Sequence, residues 1–213
     1  MHQLEEIAER IHNSFNIRTA ARDRALSQTR ALTRNCAHAI RATHRGDQDK
    51  AKKSLEEARD LVQQLHTELA EFPDLYYAGY TQDALKEYAE ASIVFALLNY
   101  HQLPQPEELE IGNAMYLKGL AETVGELRRR VLDILIDGHS DEAEQLLDDM
   151  DEIYAVLVTM DYPDAVTGGL RRLTDIVRSI IERTRGDLLI SLRNHQLEKS
   201  LAEVEKKLMR LNP

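Results

Sequence analysis

Tryptophan is absent from this chain, cysteine occurs once, and only five prolines and nine glycines punctuate 213 residues. The lone Cys36 excludes a disulfide within the chain and leaves no cysteine set for zinc. Such usage fits a reducing compartment, so a cytoplasmic location is expected. The longest fully apolar stretch lies near "IVFALL", far short of the roughly 20 residues of a membrane-spanning helix. The opening "MHQLEEIAER" is polar and acidic, unlike a secretory leader. There is no glycine-rich phosphate loop, no local Ser/His/Asp or Cys/His signature, and no strand-like alternation. So few helix breakers over this length argue for long helices.

Hydrophobic residues make up 43% and charged residues 30%, the balance of a globular chain. The length suits one domain, taken as residues 1–213. Six main helices are predicted. The first runs from about Leu4 to Arg45 and stops where Gly46 can turn left-handed. The second, about 48–72, carries Leu55, Ala58, Val62, Leu65, Leu69 and Phe72, a packing seam. A third passes through "YYAGYTQDALKEYAEASIVFALLNY" with a break near Gly79. The fourth covers about 113–137, the fifth starts after an N-cap at Ser140, and the last runs from about Leu170 to Leu208. Short connections imply an all-α antiparallel bundle of about six or seven helices.

Net charge is −10, which taken alone speaks against nucleic acid, but it is unevenly placed. Residues 10–45 hold eight arginines against the single acid Asp23, a local +7 that leaves −17 elsewhere. Within that segment Arg30, Arg34, His38, Arg41 and Arg45 fall within roughly 80° of one another on a helical wheel. Such a stripe suits a phosphate backbone. It also suits ion pairing with an acidic neighbouring helix or subunit, and the pattern admits both.

The acids recur in pairs. Glu87 and Glu90 share a helix face, as do Glu122 and Glu126. Around the first pair the helix is apolar on two sides, so partial burial is expected, and a cation is one way to offset it. The second pair lies opposite the stripe Leu117, Leu120, Val124, Leu127 and Val131, beside Lys118, Arg129 and Asp133; that pattern reads as a solvated face. Oxygen-only ligands would suit Mg²⁺ or Mn²⁺. A di-iron bundle wants two Glu-x-x-His pairs, and only Glu9–His12 has that spacing.

Three blocks carry a resemblance: "ALKEYAEASIVF", "YLKGLAETVGELRR" and "YPDAVTGGLRRLTDIVRSIIERTRGDL". They resemble the translin and translin-associated factor X family over nearly the whole chain, the "RTRGDL" ending looking like archaeal members. The resemblance implies a translin-like helical domain that assembles into a hollow homo-oligomer, typically an octamer, with nucleic acid on the inner wall. The factor X branch is a metal-dependent endoribonuclease on single-stranded RNA. The translin branch binds single-stranded RNA and DNA without cleaving them. The catalytic, metal-holding acids of the active branch match Glu87, Glu90, Glu122 and Glu126; at the position of Glu122 that branch typically carries Asp. The resemblance thus implies a Mg²⁺-dependent (or Mn²⁺-dependent) endoribonuclease, with non-catalytic binding as the alternative and no membrane partner.

Overall fold

The computed structural model describes residues 2–99, 102–138 and 141–211. They form eight helices: α1 (His2–His44), α2 (Gln48–Glu68), α3 (Pro73–Tyr76), α4 (Gly79–Leu98), α5 (Asn113–Asp137), α6 (Asp141–Thr159), α7 (Asp164–Thr167) and α8 (Leu170–Leu211). Six are long, as the sequence predicts, and α3 and α7 are single turns. No strand occurs among the described residues. Ser140, the predicted N-cap, lies outside them, as does the Leu208 side chain. No described helix is long and apolar enough to cross a membrane.

The chain groups into two compact units, Met1–Gly119 and Leu120–Pro213. In the first, α1 packs on α2 and α4. The buried stripe of α1 is Ala21, Ala25, Thr29, Leu32, Cys36, Ala39 and Thr43, one residue every three or four, so one edge faces inward. Its small members allow close helix approach. Residues 2–20 are exposed throughout. Gly46 takes a left-handed φ of 71°, which ends α1, and the Asp47 carboxylate accepts the Lys50 backbone N–H at 3.3 Å to cap α2. Leu32, Leu65 and Leu85 are fully buried, each contributing about 1.5–3 kcal/mol of apolar transfer. Residues 102–112 are tied to α2, where His66 Nε2 lies 2.6 Å from the Glu110 carbonyl.

In the second unit, Leu146, Met150 and Leu157 of α6 and Leu170, Val177 and Ile181 of α8 are buried. Arg128 of α5 donates to Thr184 Oγ1 at 2.9 Å and to Asp187 at 2.8 Å on α8. Arg130 donates to Glu142 of α6 at 2.7 Å, and Arg185 to Asp151 at 2.6 Å. The "RTRGDL" segment is therefore partly scaffold: Thr184, Arg185 and Asp187 all serve these helix-to-helix bonds. Beyond Leu188, α8 keeps exposed Leu189, Leu197, Leu201 and Val204.

Candidate functional site

α4 is buried on most of its circumference, with Thr81, Ala84, Leu85, Tyr88, Ala89, Ala91, Ser92, Ile93, Val94 and Ala96 all inside. A helix packed on so many sides draws Glu90 out of water and covers part of Glu87. Glu90 is only 9% exposed, and the Glu87 side chain is 33% exposed. One carboxylate oxygen of Glu87 and one of Glu90 lie within 4.8 Å of each other. Lys86 Nζ sits 3.3 Å from Glu87 Oε1, its side chain only 13% exposed.

Cys36 of α1 faces the same acids. Burial raises its thiol pKa well above the usual range, and the charges of Glu87 and then Glu90 add to the rise. The proton is held because a thiolate there would be both desolvated and repelled. In the sequence Cys36 marks only the redox compartment; its place beside the acids depends on how α1 meets α4.

Gly119 was also missed. A Cβ there would lie 2.6 Å from Ala89 Cβ, 2.8 Å from the Glu90 backbone nitrogen and 2.9 Å from the Lys86 carbonyl oxygen. Only glycine lets the start of α5 rest on the α4 backbone at the glutamate pair. The available signal was a glycine in the middle of a predicted helix, which usually has a packing reason.

Glu122 and Glu126 belong to the second unit and follow Gly119 by three and seven residues on α5. Both are half-buried, in contrast to the solvated face the sequence pattern predicts. Ala121 and Thr123, outside the apolar stripe, are buried too, so α5 is covered on more than one side. Glu126 lies 3.6 Å from Arg129 on the same helix.

Two groups stand apart among the basic residues of the first unit. Arg18, Arg22 and Arg24 pair with Asp74, Asp23 and Glu68. Arg30, Arg34, His38, Arg41 and Arg45 are exposed, and none has a side-chain ion pair or hydrogen bond among the described residues. His38, Arg41 and Arg45 line a cleft of about 490 Å³ that also takes Lys50 and Lys53 from α2. Arg30 lines a separate groove of about 400 Å³ with Tyr80, Asp83 and Glu87. The groove thus brings one end of the stripe to the glutamates. Exposed arginines without a carboxylate partner among the described residues suit an external anion.

All-helical among the described residues, the chain carries paired glutamates on a buried helix and an arginine stripe without carboxylate partners among those residues. No family model matches the chain. It is 34% identical over 188 residues to an uncharacterized protein of Methanocaldococcus jannaschii, MJ0175, covering 87% of this chain and 83% of that one. AfC3PO superimposes with a TM-score of 0.78 at 30% identity over 90% of this chain and 98% of its own. The same protein solved in a complex with duplex RNA gives 0.76 at 29%, over 99% and 100%. Apo-NeC3PO gives 0.79 at 22%, over 86% and 96%, a likeness of fold alone. The chain belongs to the translin and translin-associated factor X family.

Proposed function

We propose that the protein is a divalent-metal-dependent endoribonuclease that cleaves single-stranded RNA and works as a homo-oligomer, an octamer by the family resemblance. The observation that carries this reading is the pair Glu87 and Glu90, drawn together on α4 with Glu90 buried and Glu87 partly covered, and with Arg30, unpartnered among the described residues, in the groove that Glu87 lines. By the family resemblance, Glu122 and Glu126 belong to the same acidic set. AfC3PO in complex with duplex RNA supports RNA as the ligand.

The donors fit a hard cation, since the set is carboxylate oxygen without sulfur or imidazole, and the nearby Cys36 is kept protonated. Glu87, Glu90, Glu122 and Glu126 would hold Mg²⁺ or Mn²⁺, which when bound supplies a hydroxide nucleophile and neutralises charge on the scissile phosphate. The chain's own residues do the binding. Arg30, Arg34, Arg41 and Arg45, with His38, hold the phosphate backbone and read no base. Assembly has its own support: Leu4, Ile7, Ile11 and Phe15 on α1 and Leu189, Leu197, Leu201 and Val204 on α8 are exposed, and apolar rows of that length suit a second copy.

The test is cleavage of single-stranded and duplex RNA in Mg²⁺ and in EDTA, with the wild type, Glu87→Gln and Glu90→Gln. Internal cleavage of the single strand in Mg²⁺ alone is expected, falling by several orders of magnitude in each variant while binding in EDTA persists. Binding without cleavage in Mg²⁺ and in Mn²⁺ selects a second reading, a non-catalytic RNA- and DNA-binding protein. The Lys86–Glu87 ion pair favours that reading, because it already neutralises one of the acids. Light scattering that returns a monomer of 24.4 kDa at micromolar concentration refutes the assembly.

A further inference from the structure

The groove between α1 and α4 holds two opposite charges that do not meet. Tyr80, Asp83 and Glu87 follow one another at three and four residues along α4 and so share a face. Arg30 and Thr33 of α1 line the other side. Neither Arg30 nor Asp83 has an ion pair or a side-chain hydrogen bond among the described residues, and both are exposed. The Tyr80 phenolic oxygen is buried and has no hydrogen-bond partner there. A phenol can both donate and accept, and a buried polar atom left without a partner is unfavourable.

A ligand that satisfies all three groups must carry an anion for Arg30 and, close to it, a neutral hydroxyl for Asp83 and Tyr80. A second anion is excluded opposite Asp83, since a carboxylate repels phosphate but accepts a hydroxyl proton readily. The repeating unit of RNA has this pairing, a phosphate beside a ribose 2′-hydroxyl. Deoxyribose lacks the hydroxyl, and that group is what lets a protein tell RNA from DNA. Because Glu87 lines the same groove, the unit held there would be next to the acids.

We propose that this groove is a ribose-reading subsite in which Arg30 holds a phosphate while Asp83 and the Tyr80 hydroxyl bind the 2′-hydroxyl, giving the protein a preference for RNA over DNA. The proposal rests on the RNA-binding reading above. Asp83 and Tyr80 are specificity residues in it and take no part in the cleavage chemistry.

The experiment measures binding in EDTA by the full chain to single-stranded RNA and to DNA of the same sequence, for the wild type, Asp83→Ala and Tyr80→Phe. The wild type should bind RNA more tightly. Asp83→Ala should weaken RNA binding about tenfold, the size of one hydrogen bond to a charged group, with DNA binding unchanged or tighter. Tyr80→Phe should weaken RNA binding several-fold with no fall in Tm, because the hydroxyl it removes has no partner among the described residues. Equal wild-type affinity for the two strands, or an Asp83→Ala effect that is absent or the same on both, overturns the subsite. If the wild type binds RNA and cleaves it in Mg²⁺ while the RNA-to-DNA ratio stays unmoved in the variants, the subsite alone fails. If the wild type binds neither strand, the functional reading fails with it.

Discussion

Gly119→Ala should loosen the joint between α4 and the start of α5. Two effects oppose each other. Replacing glycine by alanine inside a helix ordinarily stabilises by about 0.5–1 kcal/mol, because the unfolded chain loses freedom. Against this, the new methyl would meet Ala89 Cβ at 2.6 Å, Glu90 N at 2.8 Å and Lys86 O at 2.9 Å. None of the three is the free end of a flexible side chain, so one helix must move. Overpacking of this kind costs about 1–3 kcal/mol, and the backbone contacts put it in the upper half. The net loss is then about 1–2 kcal/mol, a fall in Tm of about 2–8 °C for a chain of this size. Gly125→Ala is the control, since nothing lies within 4 Å of a Cβ built there. It should stabilise by about 0.5–1 kcal/mol. Thermal or urea melts of the two variants at one protein concentration make the comparison. RNA cleavage per folded molecule should also fall in Gly119→Ala, because the Glu90 backbone is among the atoms that must shift. A Gly119→Ala protein as stable as Gly125→Ala refutes the close-approach argument.

Arg34→Ala should weaken binding of unrelated single strands about equally and make the salt slope shallower by about 0.7, with stability within about 0.5 kcal/mol of wild type, as the side chain has no partner among the described residues. Measured slopes and melts that show the reverse pattern return Arg34 to a structural role. The Cys36 thiol should resist alkylation in the native protein at pH 8 and react once the chain is unfolded; rapid native labelling would contradict its burial. Its folded pKa lies above the ordinary 9.0, so the unfolded chain deprotonates first and its contribution to stability, complete below about pH 9, is lost as pH rises further. Arg128→Ala should cost about 1–2 kcal/mol, since it removes bonds to Thr184 and Asp187 from a largely covered guanidinium. Arg185→Ala, whose pair with Asp151 is exposed on both sides, should cost at most about 1 kcal/mol. Melts that rank the two arginines equally would count against burial as the cause.

Local rules were enough for most helix limits. Gly46 ends α1, Gly79 begins α4 after the expected break, and α5 spans the predicted 113–137, because turn residues and apolar periodicity act within a few residues of the chain. The paired glutamates and the arginine stripe were visible for the same reason: helical spacing alone puts them on common faces. The burial of Glu122 and Glu126 was not, since the pattern of one helix does not say what covers its polar side. Nor could it separate the arginines. Arg24 and Arg30 look alike in sequence, yet Arg24 meets Glu68 of α2 while Arg30 opens onto Glu87 and Asp83 of α4.

The sequence by itself determined the all-helical class, the charge asymmetry and the carboxylate pairs, each a matter of composition or of neighbours three and four residues apart. Tertiary structure decided that Glu90 is buried and Glu87 partly covered, that Cys36 holds its proton beside them, that Gly119 is where the start of α5 meets α4, and that Arg30, Arg34, His38, Arg41 and Arg45 have no side-chain partner among the described residues. All of these depend on which distant helices meet and at what separation. Helix-to-helix distance is set by the joint packing of side chains far apart in the chain, a quantity that no single stretch of sequence carries.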